Sequence, residues 1–208
     1  METVPVKVIV IHDDIDEKSP IMVELYVRYH NDHVLLFKHS QTGLDYVLNH
    51  LGQKMVVLLD INFYDGKELS GLKVFERIRE KTSLVYIILT TVSKINDIDE
   101  DSLKMLINKE LFSYESFTSD YSNVLLLIEE AIMKLNVRVD AVIEAWMMRH
   151  SPEVRSKPFI KTKIGEVYSM NDVLDSIRMQ TAIGIEFEKN LLKLAIDIFS
   201  KQKIQTND

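Results

Sequence analysis

Lys54-Met-Val-Val-Leu-Leu-Asp60-Ile-Asn62 is the stretch on which the reading of the whole chain turns. Its apolar run, Val56 to Leu59, is unbroken, with Gly52-Gln53 before it and a polar loop after it. A short apolar run without alternation fits a strand buried on both faces, as in the middle of a parallel sheet. The run ends in a carboxylate. In open parallel sheets ligands bind outside the carboxyl ends of the strands, so Asp60 stands where chemistry is usually placed. Taken alone, Asp60 fits a loop cap equally well.

Two further runs shift that balance. Val6-Lys-Val-Ile-Val-Ile11 reads as a buried strand and ends in His12-Asp13-Asp14, and Val85-Tyr-Ile-Ile-Leu89 ends in Thr90-Thr91. Parallel alignment would bring Asp13, Asp14 and Asp60 to one edge. Carboxylates gathered there repel one another unless a cation joins them. Hard oxygen ligands with open positions suit Mg2+, which keeps several of its waters.

Between the strands the sequence alternates. Glu17 to Tyr29 carries a helical stripe at Ile21, Met22, Leu25 and Tyr26, with Pro20 near its start. Val34 to Phe37 reads as a strand, and Thr42 to Leu51 as a helix stopped by Gly52. After the Asp60 strand come a loop with Asp65-Gly66 and Ser70-Gly71, a helix from Leu72 to Glu80, and the strand ending at Thr90. A helix near 97–109, a strand at Leu111 to Tyr114 and a long helix from about Ser119 or Asp120 follow. Five β-α alternations predict a doubly wound parallel sheet with right-handed crossovers.

Composition sets the limits. With 208 residues, 46% apolar and 27% charged, the chain can build a core and allows one domain of common size plus a small addition. It has no cysteine, which excludes disulfides, thiolate metal sites and a cysteine nucleophile. No apolar run approaches the roughly 18 residues of a membrane span, and the N-terminus does not read as a signal peptide, so a cytoplasmic protein without a membrane partner is expected. Residues 1–148 carry 15 Lys+Arg against 24 Asp+Glu, net −9, and the remainder 10 against 8, net +2. Neither part offers the basic face that nucleic acid needs.

Residues 6 to about 135 resemble the receiver domain of two-component response regulators, the CheY-like family. The resemblance rests on Asp13-Asp14 after strand one, Asp60 ending strand three, Thr90 ending strand four, and the glycine-led helix Gly71-Leu-Lys-Val-Phe-Glu-Arg-Ile-Arg79. It implies a flavodoxin-like five-stranded sheet of order 2-1-3-4-5. It also implies that Asp60 is the phosphoacceptor, Thr90 the switch residue, and Mg2+ the cofactor. Asp14 and Asp60 would hold the ion directly, Asp13 through water and Asn62 through its backbone carbonyl. The implied phosphoryl donor is a histidine kinase or phosphotransfer protein.

The chain departs from the family in two places. Gly71 lies farther beyond Asp60 than usual, so the loop from Phe63 to Ser70 is enlarged, and the usual Met-Pro after the phosphoacceptor is missing. The family lysine at the end of strand five has two placements. Lys109 is one. The other takes Leu111-Phe-Ser-Tyr114 as strand five and leaves Glu115-Ser116-Phe117 where Lys-Pro-Phe would stand, which removes the cation that couples phosphate to conformation.

Tyr121, Leu125, Ile128, Ile132, Leu135, Val139, Val142 and Trp146 recur at spacings of four and three, a 3.5-residue seam with no Gly or Pro before Ser151-Pro152. One reading lays one face on the sheet and another under the tail. The other, followed here, is a continuous helix that extends a receiver at 1–136 through a connector at 137–150 and pairs two chains as a homodimer. The tail, 151–208, reads as a mostly α-helical extension. It has a hairpin around Gly165, a helix start at Ser169 with Asp172, and a last helix with Phe187, Leu191, Leu194 and Ile198 on one face. It carries no catalytic set, no metal-ligand spacing and no phosphate loop, so it reads as an interaction module for an unidentified protein. The expected function is a non-enzymatic phosphorylation switch. The alternative is a degenerate pseudo-receiver serving as an adaptor scaffold, and a DNA-binding transcriptional regulator is third.

Overall fold

The computed structural model describes residues 5–63, 68–92, 97–116 and 121–201. The chain divides into two compact units, Met1–Val142 and Ile143–Asp208.

The first unit is built on five parallel strands. They are β1 (Lys7–Ile11), β2 (Val34–Phe37), β3 (Met55–Asp60), β4 (Tyr86–Thr91) and β5 (Ser113–Ser116), in the order β2-β1-β3-β4-β5. Between them run α1 (Pro20–Tyr29), α2 (Ser40–Asn49), α3 (Gly71–Arg79) and α4 (Glu100–Asn108), and α5 (Ser122–Val137) follows β5. This is the doubly wound parallel sheet the alternation predicts, in the flavodoxin-like order the resemblance implies. All six residues of β3 are buried because the sheet is covered on both faces. Val56 and Leu58 point into a layer with Ile21, Met22 and Leu25 of α1 and Val124, Ile128 and Leu135 of α5. Val57 and Leu59 point the other way, onto Leu44 and Val47 of α2 and Val74, Phe75 and Ile78 of α3.

Strand five begins two residues later than the sequence indicates. Glu110 takes a left-handed φ of 56°, and the Leu111 N–H still donates to Leu106 O at 2.9 Å, so Leu111 belongs to the exit of α4. The expected start of the long helix at Ser119 or Asp120, and Asp65-Gly66 of the enlarged loop, lie outside the described residues.

The seam does not form one continuous helix. α5 ends at Arg138, whose ψ of 119° leaves the helical region, and α6 (Val139–Met148) starts anew. The Arg138 guanidinium binds Asp140 (Nε–Oδ1 2.9 Å), reaches Ser83 O at 3.3 Å and lies over the Tyr86 ring. These contacts fix the bend, which spacing alone could not reveal. The expected boundaries at 136 and 150 differ from the observed division, which falls inside α6.

The second unit continues with α7 (Pro152–Arg155), an antiparallel hairpin of β6 (Pro158–Lys161) and β7 (Val167–Ser169), α8 (Met170–Arg178) and α9 (Ala182–Lys201). Ser169 and Asp172 form the reciprocal cap that starts α8. Met170, Val173, Leu174 and Ile177 of α8 are buried, and Arg178 Nε binds Glu144 Oε1 at 2.6 Å. A side chain at Gly184 would meet Ser176 O at 2.4 Å, so only glycine lets α9 approach α8 this closely. No helix among the described residues is long and apolar enough to cross a membrane.

Candidate functional site

Parallel register assembles the site. Ile11 pairs with Leu59, so His12, one step on, comes level with Asp60. Asp60 pairs with Thr90, and Thr90 with Glu115. Side chains alternate along a strand, so His12 continues the row of Val8 and Val10, Asp60 that of Val56 and Leu58, and Thr90 that of Ile88. A row of four polar residues, His12, Asp60, Thr90 and Glu115, therefore crosses the carboxyl edge of the sheet.

His12 and Asp60 are 7% and 6% exposed. His12 Nδ1 lies 3.6 Å from Asp60 Oδ2 and 3.7 Å from Asp13 Oδ1. One donor atom from each of the three falls within 4.8 Å of the others, a grouping able to hold a metal ion. Asn62 N–H donates to Asp60 Oδ1 at 3.2 Å, and its side-chain amide donates to Thr91 Oγ1 at 3.1 Å. The group opens on a cleft of about 240 Å³ lined by His12, Asp14, Ile15, Asp60, Asn62 and Val92, among others.

Electrostatics make this a site under tension. Burial raises Asp60 most; the Asn62 N–H opposes it, and the charges of Asp13 and Asp14 add to it, so Asp60 is pushed up to about 7. Burial also holds His12 below its ordinary value, against the pull of Asp13 and Asp14 and with help from Lys38. The contacts of His12 with the two carboxylates are therefore not ion pairs at neutral pH. Asp14 N–H donates to His12 Nδ1 at 3.2 Å, which assigns the lone pair to that nitrogen.

The expected site residues separate into those the fold gathers and those it does not. Asp13 stands with Asp60, while Asp14 lines the same cleft with its carboxylate outside the 4.8 Å group. Thr90 lies beside Asp60, fully buried, and its hydroxyl donates to Leu59 O at 3.2 Å. Lys109 is not at this edge, which corrects one of its two placements. It caps the end of α4, before β5 begins, and its ammonium lies 3.9 Å from Glu76. That is the amino edge of the sheet; at the carboxyl edge the position level with Thr90 holds Glu115. Among the described residues Lys38, just past β2, reaches the site's border, where its ammonium donates to Ile15 O at 2.6 Å.

The sequence by itself assigns no role to His12, Thr91 or Lys38. The usable signal was positional: one residue past β1 must face one residue past Leu59.

The enlarged loop is fastened at its far end. Glu68 accepts from the Ser40 N–H at 2.8 Å and the Ser40 hydroxyl at 2.6 Å at the start of α2, bonds that hold its carboxyl below the usual range. Leu69 N–H donates to Ser40 Oγ at 2.9 Å. Gly71 then returns the chain onto the site strand: a Cβ there would sit 1.9 Å from Asp60 O, so no other residue permits this approach.

Solved structures are similar to the first unit in fold. The N-terminal domain of an uncharacterized protein from Wolinella succinogenes matches with a TM-score of 0.51 at 16% identity, over 65% of this chain and all of that one. NtrX from Brucella abortus, solved in complex with ATP, gives 0.52 at 14% identity over 66% of this chain but 29% of its own. A CheY-like response regulator receiver domain protein from Methanospirillum hungatei JF-1 gives 0.48 at 15% identity, covering 62% of this chain and 94% of that one. The first unit has a flavodoxin-like fold, shared with these structures. These likenesses reach about 65% of the chain and leave the C-terminal region uncharacterised. No family model and no curated protein sequence matches the chain.

Proposed function

We propose that this receiver-fold unit is a response-regulator-like signalling switch that accepts a phosphoryl group on Asp60. The observation that carries the reading is the Asp60 carboxylate: at the end of the central strand, open to a cleft, and within reach of Asp13 and a shared cation. The oxygen donors of Asp13 and Asp60 fit a hard dication, with Asp14 and Asn62 at the cleft to complete its surroundings. Mg2+ bound there would neutralise the carboxylates and the incoming phosphoryl oxygens. Asn62 N–H steadies the Asp60 carboxyl through Oδ1, and one of its two oxygens would attack phosphorus while the other held the cation. Thr90, one strand over, would exchange its bond to Leu59 O for one to the phosphoryl group.

The phosphoryl donor would be a histidine kinase or phosphotransfer protein, in a cytoplasmic pathway. A homodimer would form on the exposed part of the seam, which includes Val139 and Val142. The second unit would carry the signal to a protein partner, with no enzymatic step of its own and no nucleic acid.

Glu115 supports the second reading, a phosphorylation-independent scaffold. A carboxylate level with Thr90 replaces attraction to a phosphoryl group by repulsion. Incubation with acetyl phosphate and Mg2+, and separately with beryllofluoride, discriminates the two. On the switch reading the wild type gains one phosphoryl mass and binds beryllofluoride, and Asp60→Asn does neither. A wild type that does neither puts the scaffold first.

A further inference from the structure

We propose that His12 is a direct metal ligand, and that the Asp60 cleft consequently prefers first-row transition-metal dications, Zn2+ above Mn2+, over Mg2+. This rests on the cation site of the switch reading and adds a nitrogen donor to it. The sheet register forces the juxtaposition. The His12 N–H donates to Phe37 O at 3.0 Å, which pins the residue at the mouth of β1, level with Asp60. The imidazole is buried against solvent and turns Nδ1 toward the two carboxylates, 3.6 and 3.7 Å away. Donors about 2.1 Å from one octahedral ion stand roughly 3 Å apart when adjacent and roughly 4 Å when opposite. The two separations from Nδ1 fall in that interval and the three residues' donors lie within 4.8 Å of one another, so a modest closing movement would let one ion meet all three.

The donor at Nδ1 is a lone pair, because it already accepts from the Asp14 N–H. That hydrogen bond, at 3.2 Å, is a weak one to exchange for a metal bond.

The chemistry of the set then decides the ion. Mg2+ takes oxygen ligands and gives up water reluctantly. Imidazole with two carboxylates suits the first-row transition metals, whose affinities rise from Mn2+ toward Zn2+. A hydrophobic residue in place of His12 would leave an all-oxygen site.

The test uses the metal-stripped full chain. Titration calorimetry gives its affinities for Mg2+, Mn2+ and Zn2+, alone and in competition, for wild type, His12→Val and Asp60→Asn. Electron spin echo spectroscopy of the Mn2+-loaded wild type reads nitrogen ligation without any substitution. The inference requires a nitrogen coupling in wild type that vanishes in both variants. It also requires a Zn2+ affinity that drops at least about tenfold in His12→Val while Mg2+ affinity stays within about twofold. Mn2+ bound without nitrogen coupling, or an unchanged Zn2+ to Mg2+ ratio in His12→Val, overturns the role of His12 and leaves the Asp60 cation site standing. Wild type that binds none of the three ions, or binds them unaffected by Asp60→Asn, removes the cation site and this inference together.

Discussion

The two edges of the central sheet bury charge in opposite ways. At the amino edge Arg79 is almost wholly enclosed, yet its guanidinium is saturated with backbone oxygens. Nε donates to Lys109 O at 2.8 Å, Nη1 to Val85 O at 2.8 Å and Thr82 O at 3.4 Å, and Nη2 to Glu110 O at 3.2 Å. The guanidinium also lies over the Phe75 ring. Burial lowers it to about 10, which still leaves it charged at neutral pH. At the carboxyl edge Asp60 has the backbone N–H groups of Asn62 and Ile61, and among the described residues its close side-chain neighbours include a neutral imidazole and further carboxylates. One edge spends its polar groups on cohesion. The other keeps a carboxylate near its neutral form until something positive arrives, the condition expected of a site rather than a brace.

Three substitutions probe this contrast. The largest effect is expected at the amino edge. Arg79→Met keeps bulk over Phe75 but strands the carbonyls that close α4 and open β4. It should cost roughly 3–5 kcal/mol, the worth of two good charge-assisted hydrogen bonds. Urea unfolding measures it, and a loss below about 1 kcal/mol would mean solvent or a neighbour replaces the guanidinium.

At the carboxyl edge the sign reverses. Asp60 is raised above its unfolded value of 3.8 to about 7, so the folded state holds the proton more tightly than the unfolded chain does. Its contribution is neutral below pH 3.8 and becomes increasingly destabilising as pH rises through 7. Asp60→Asn should therefore stabilise the metal-free protein by on the order of 2–4 kcal/mol at pH 8 and by little at pH 4. Thermal melts across that range check it. A gain that does not grow with pH would show that Asp60 already finds a positive partner. A saturating dication should erase the gain, since only the wild type binds it.

The smallest effect is expected where the enlarged loop is fastened. Ser40→Ala removes the hydroxyl shared by Glu68 and Leu69 and should cost about 1 kcal/mol. Hydrogen exchange should rise at the Leu69 amide, which loses its acceptor, and not in β3. Uniform acceleration across the sheet would mean the loop's anchorage and the core open together.

Most of the first unit was legible in the sequence, because its signals are local. Apolar runs at Val6–Ile11, Val56–Leu59 and Val85–Leu89 read as two-faced strands, and the stripes between them as covering helices. Each strand's terminal polar residue was therefore assigned to one edge. The cap at Ser169 and Asp172 was legible for the same reason, since both partners lie within one helical turn.

What escaped was set by pairing between distant segments. The seam from Tyr121 to Trp146 keeps its period, but its continuity as a helix depended on Arg138 finding Ser83 and Tyr86, more than fifty residues upstream. Lys109 and Glu115 are six positions apart, and only the register of β4 with β5 decided which of them faces Thr90. His12 gains its place beside Asp60 only from the register of β1 against β3. Sequence alone determined the sheet, its covering helices and the edge where the acidic residues gather, because burial periodicity is written residue by residue. Tertiary structure alone decided which groups share that edge at bonding distance, because a parallel register is a choice between segments, and a slip of one residue would have turned His12 to the other face.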